Sequence, residues 1–191
     1  MRERGFTKWG EPSTAPDGND IPVTTAMPRN SDTEREMSNP YGNDQADREK
    51  VAEKLGRLLA DSYMLYVKTQ AFHWNVTGPQ FEPLHTLFHQ QYAELAVAVD
   101  EIAERIRALG ARAPGSFYEF SSLTSINEEA GAPAAAAMLG QLQLDHAKTA
   151  RSALQATRQA EAAGDVATAD LATRRVAQHE RAAWMLGSLL R

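Results

Sequence analysis

The sequence contains no cysteine in its 191 residues. Disulfides, thiolate metal sites and cysteine nucleophiles are therefore excluded. It also lacks any run of about 18 apolar residues, so no segment is expected to span a membrane. The opening MRERGFTKWGEP has none of the apolar h-region of a secretory signal, and a cytoplasmic protein is expected. Neither sign of charge dominates: 25 acidic against 20 basic residues give a net −5. That balance offers no electrostatic reason to seek nucleic acid and mildly suits the handling of cations. The length allows one domain with a substantial core, plus a tail.

Residues 1–44 differ in kind from the rest. They hold Pro12, Pro16, Pro22, Pro28 and Pro40, show no helical period, and carry mixed charge that is acidic on balance. They are expected to form a flexible or extended tail. From residue 45 to 191 the pattern is helical. The first helix is expected over about Asp44 to His73, with Leu55, Leu58, Leu59, Leu65, Tyr66 and Phe72 on its apolar face, and Gly78-Pro79 breaks it. The second runs from about Pro83 to Leu109 and stops at Gly110. About 22 residues rich in Gly, Pro and Ser follow, long enough to hold a short extra helix. A third helix starts near Pro133 and ends by Gly164, and a fourth covers about Val166 to Leu190. Short, long, short is the connection pattern of an all-α, ferritin-like four-helix bundle, in which a long crossover makes the second and third long helices parallel.

The second helix carries the chemistry. Phe88, Tyr92, Leu95, Val99, Ile102, Ile106 and Leu109 recur in steps of four and three, a core-facing seam. Beside that seam, His85 and His89 share a face, as do Asp100 and Glu104. All four fall within a stripe about 100° wide, yet His85 and Asp100 are about 22 Å apart along the axis. One copy of the helix cannot bring both pairs to one metal ion. Two antiparallel copies can, because His85 and Glu104, His89 and Asp100, and Ala93 and Ala96 each lie symmetrically about residues 94 and 95. A two-fold axis there sets the histidines of one subunit against the carboxylates of the other, twice per dimer. His73, next to Trp74 at the end of the first helix, is the natural fifth ligand. The plain reading of such i, i+4 pairs is a solvated helix face; the shared stripe and the symmetry argue against it. A di-metal centre inside one bundle would need Glu-x-x-His motifs, and only Glu82-Pro83-Leu84-His85, at a helix start, matches.

Three stretches carry a resemblance: His73-Trp74-Asn75-Val76-Thr77-Gly78-Pro79-Gln80-Phe81 with Leu84-His85, Asp100-Glu101-Ile102-Ala103-Glu104-Arg105-Ile106, and Ala182-Ala183-Trp184-Met185-Leu186. From about residue 45 onward the chain resembles the Dps (DNA-protection-in-starvation) family of small ferritin-like proteins. The resemblance implies a hollow homododecamer that binds Fe(II) between two-fold-related subunits. It further implies oxidation by hydrogen peroxide or dioxygen, with ferric mineral stored inside. It matches His73, His85, Asp100 and Glu104 as ligands, with Trp74 close enough to take a stray oxidising equivalent or simply to pack. Where the family usually has an acidic residue, this chain has His89, which either ligates or turns away. Neutral imidazole suits zinc as well as Fe(II), so zinc is the expected competitor.

The segment from Gly164-Asp165 to Asp170 matches the family's acidic pore region, although Asp165 equally suits a helix N-cap. His146 and His179 are expected to be surface or core residues without metal. The alternative functions are DNA binding with nucleoid compaction, and a zinc-binding cage with weak ferroxidase activity. DNA binding is disfavoured, because a Lys-rich tail would supply the phosphate contacts, whereas this tail has one lysine and is net acidic.

Overall fold

The structure, a computed structural model, describes residues 44–191, and all regular elements among them are helices. The tail expected over residues 1–44 lies outside the described residues except for Asp44. That residue caps the first helix, α1 (Gln45–Asn75), its carboxylate accepting from the Asp47 N–H at 2.8 Å and so satisfying one orphan donor of the first turn. Gly78, at φ +106°, turns the chain into α2 (Phe81–Ala108), a conformation a side chain would strain. The crossover holds one short helix, α3 (Phe117–Leu123). At its start Ser116 Oγ accepts from the Glu119 N–H, while the Glu119 carboxylate accepts from Ser116 Oγ and the Gly115 N–H, a variant of the capping box. Two further long helices, α4 (Ala135–Ala162) and α5 (Val166–Ser188), complete the expected order. No helix among the described residues is long and apolar enough to cross a membrane.

Touching side chains fix the directions. α1 meets α2 through Tyr66 on Tyr92 and His73 on His85, and meets α4 through Asp61–Ser152 and Lys68–Asp145. In each pairing the numbers rise on one helix as they fall on the other. α1 is thus antiparallel to both, and α2 runs parallel to α4. Glu94–Arg175 and Arg105–Asp165 make α2 antiparallel to α5 in the same way. This is the crossed-over topology that the long middle link predicts.

The apolar interior comes in two clusters. One gathers Leu55, Leu58, Leu59, Ile102 and Ile106 under Phe120 of the crossover. The other gathers Leu65, Phe72, Phe88, Leu95, Met138 and Leu142 at the opposite end. The seam predicted on α2 is buried or half-buried throughout, as amphipathic spacing requires. Between the clusters runs a belt of buried polar groups. Asp61, 1% exposed, accepts from Thr124 Oγ1, the Ser125 N–H, Ser125 Oγ and Ser152 Oγ at 2.9, 2.6, 3.1 and 2.6 Å. One carboxylate therefore ties the crossover and α4 to α1. Asp145 is held by Lys68 at 2.6 Å and by Lys148 at 3.1 Å. Buried charges require such pairing.

His146 and His179 face each other in this belt, Nδ1 to Nδ1 at 3.0 Å, so they are core residues. Arg175 pairs with Glu94 through two contacts and approaches His179 Nε2 at 3.4 Å. Guanidinium can only donate, so His179 Nε2 accepts and its Nδ1–H donates to His146. Burial, then the Arg175 charge, pushes His146 down to about 4 from 6.5, with Asp145 pulling weakly upward. His179 is pushed well below the ordinary value by burial, then by His146 and Arg175. The unfolded imidazoles take up protons as pH falls through 6.5, while folded His146 stays neutral until about 4. Stability is therefore full above that window and is lost as pH falls through it, by about 3 kcal/mol for His146 alone. Melting temperature measured between pH 7 and 4 should drop steeply, and His146→Gln should flatten the slope.

Asp165 settles as a cap. Its carboxylate accepts from the Thr168 N–H at 3.0 Å and hydroxyl at 2.5 Å, and pairs with Arg105 at 2.6 Å. The exposed acid of that segment is Asp170, itself paired with Arg174.

Candidate metal centre

His73 stands in the last turn of α1, and His85 near the start of α2. The turn at Gly78 folds one helix back on the other and brings the two rings face to face, 3.7 Å between centroids and 23° between planes. Each ring reaches the other residue's backbone. His73 Nδ1 lies 2.8 Å from the His85 carbonyl, and His85 Nδ1 lies 2.9 Å from the His73 carbonyl. A carbonyl only accepts, so both Nδ1 atoms carry the hydrogen. In the neutral ring this tautomer leaves the lone pair on Nε2, which is the form of imidazole that ligates a metal.

His89 is exposed, one turn further along α2, with its ring 5.5 Å from that of His73. Its Nδ1 is 2.7 Å from the Tyr92 hydroxyl, and the Tyr92 ring stands edge-on to His73 at 5.2 Å. Three histidines thus gather at one end of the α1–α2 hairpin. Tyr92 was legible only as a seam residue; its i+3 spacing from His89 is the signal that places the hydroxyl on the imidazole.

Asp100 and Glu104 lie on the exposed side of α2, about 22 and 28 Å of helix rise beyond His85. One chain does not bring them to the histidines. Among the described residues, no three His, Asp or Glu side chains of a single chain are set to hold a metal ion. The stripe joining the two halves, through His89, Ala93, Ala96, Asp100 and Glu104, is exposed along its length. Val97 beside it is 61% exposed. Trp74 is 66% exposed and makes no ring contact with the histidines among the described residues.

Residues 52–191 match the ferritin-like domain, which defines the class of protein. The chain is 41% identical over 145 residues to an uncharacterised low temperature-induced protein of Nostoc sp., covering 75% of this chain and 81% of that one. It is 35% identical over 140 residues to DNA protection during starvation protein 2 of Bacillus anthracis, covering 73% and 96%. The crystal structure of a Dps protein from Bacillus brevis superposes with a TM-score of 0.74 at 34% identity, covering 76% of this chain and 98% of that one. Dps from Vibrio cholerae O1 gives 0.76 at 29%, covering 78% and 94%, and is described as one of the ferritin-like diiron-carboxylate proteins. The chain belongs to the Dps family.

Proposed function

We propose that the protein is a ferroxidase and iron-storage cage that oxidises Fe(II) with hydrogen peroxide or dioxygen at sites shared between two subunits. Ferric mineral would accumulate inside a shell of twelve copies and so protect against oxidative damage. The observation that carries this reading is the reciprocal hydrogen bonding of His73 and His85, which engages both Nδ1 atoms and leaves the Nε2 of each stacked ring for a metal. The exposed stripe on α2 supports the rest. An antiparallel second copy would set Glu104 of the partner subunit near His85, and the partner subunit's Asp100 near His89.

Imidazole and carboxylate ligands hold Fe(II), the substrate, while leaving coordination positions for the oxidant. Two iron ions supply both electrons that peroxide needs, so no hydroxyl radical escapes. His89 can serve through Nε2 with its Nδ1–H donating to Tyr92 Oη, a hydrogen bond that orients the ring. Imidazole in place of a carboxylate removes one negative charge, which weakens the hold on Fe(III) and admits zinc. Anaerobic Fe(II) titration followed by peroxide or dioxygen tests the site, read against His89→Glu. The zinc concentration that halves the oxidation rate should rise by about tenfold in His89→Glu. Rates that ignore zinc and are unchanged in the variant would remove His89 from the site.

A further inference from the structure

The belt of buried polar groups opens on one side into a cleft of about 180 Å³ between α2, α4 and α5. Leu87 and Met185 give it an apolar wall. Its floor includes His146, 3% exposed, whose Nε2 has no protein partner among the described residues. The pairing of the two histidines decides what that atom carries. Arg175 can only donate, so His179 Nε2 accepts, His179 Nδ1–H donates, and His146 Nδ1 accepts. A neutral imidazole has one N–H, and here it falls on His146 Nε2. Burial, then the Arg175 charge, keeps the ring neutral down to about 4, so near pH 7 this N–H is a fixed donor.

Gln91 of α2 lines the same cleft, and its Oε1 is likewise buried without a protein partner. One cleft thus holds an unmet donor and an unmet acceptor, where folded interiors leave very few. Two charged side chains complete it. Glu94 is neutralised by its two contacts with Arg175. Arg181 is exposed at the mouth and forms no ion pair among the described residues. A cation is opposed by Arg181 and by the hydrogen on His146 Nε2. A simple anion such as chloride leaves Gln91 unmet. An oxyanion that keeps one O–H satisfies all three groups.

We propose that this cleft binds inorganic phosphate, held as the hydrogenphosphate ion. Its oxygens accept from His146 Nε2–H and from the Arg181 guanidinium, whose planar fork suits an oxyanion. Its P–OH donates to Gln91 Oε1. Sulfate and the phosphodiesters of DNA carry no such O–H at neutral pH, so the cleft selects the free ion. This binding is independent of the iron chemistry proposed above.

Equilibrium dialysis of the full, metal-free protein against labelled phosphate at constant ionic strength tests the site, with melting temperature measured in parallel. Wild type should saturate at one phosphate per chain and melt at higher temperature as phosphate rises. Arg181→Ala, at the exposed mouth, should weaken binding by about tenfold. Gln91→Leu should weaken it by about tenfold too, yet melt no lower than wild type without phosphate, because a stranded acceptor is gone. His146→Phe should abolish saturable uptake. Sulfate should bind at least about tenfold more weakly than phosphate, and a short DNA duplex should not displace phosphate. Uptake that never saturates, or that is equal in wild type, Arg181→Ala and Gln91→Leu, would overturn the site even if His146→Phe fails to fold. Equal affinity for sulfate, or displacement by the duplex, would overturn the assignment to hydrogenphosphate.

Discussion

Shells assembled from equal amounts of a His73→Ala/His85→Ala chain and an Asp100→Ala/Glu104→Ala chain should oxidise Fe(II) at roughly a quarter of the wild-type rate. Each parent alone should be nearly inactive, since every site lacks two ligands. In a mixed two-fold pair, one site joins the intact histidines of one chain to the intact carboxylates of the other, and the second site loses all four. Random pairing makes half of the pairs mixed, with one working site in two. A centre built within one subunit could not recover at all, because no chain in the mixture carries a full set. Fe(II) consumption after peroxide addition measures the outcome, with differently tagged chains verifying co-assembly by mass. Inactive mixed shells, or an active parent, would sink the shared site.

Asp61→Ala should be the most damaging single change outside the site, destabilising the bundle by about 3–5 kcal/mol. It strands four donors at once, from Thr124, Ser125 and Ser152, and two of those residues anchor the crossover just after α3. Asp61→Asn should cost less, because the hydroxyls can turn to accept from the amide while the Ser125 N–H keeps its oxygen. Denaturant unfolding at matched protein concentration measures the loss. Limited proteolysis should show new cleavage between residues 124 and 134 in Asp61→Ala only. Unchanged stability would mean that the four contacts are replaced by water at no cost.

Much of this architecture is legible without coordinates. Glycines at 78, 110 and 164 adopt positive φ where the helix breaks were expected, and the apolar steps of α2 read directly as its buried side. The ligand-type residues were legible too, since helix periodicity is a local property and the stripe through His85, His89, Asp100 and Glu104 needs only a ruler. What stayed hidden depends on partners far away in sequence. Asp61 looks like any polar residue of a long helix until Ser125 and Ser152 arrive from 64 and 91 residues away. Lys68 and Asp145 are 77 apart, and no spacing rule joins them. The reciprocal clasp of His73 and His85 was equally invisible, because it pairs each ring with a backbone carbonyl twelve residues distant.

The belt of buried charge has a consequence for how the chain finds this arrangement. The hairpins α1–α2 and α4–α5 close through brief turns, so their contacts form between near neighbours and can appear early. Docking one hairpin on the other spans the long crossover and is the slow event, since distant contacts must first overcome the entropy of closing the loop between them. The alanine-rich side of α4, with Ala153, Ala156 and Ala160 buried, would accept α1 almost as well one turn too high or too low. The charges would not. A one-turn slip takes Lys68 from Asp145 and Ser152 from Asp61, leaving carboxylates buried without partners at a cost of several kcal/mol. The step most open to error is thus the one proofread by electrostatics.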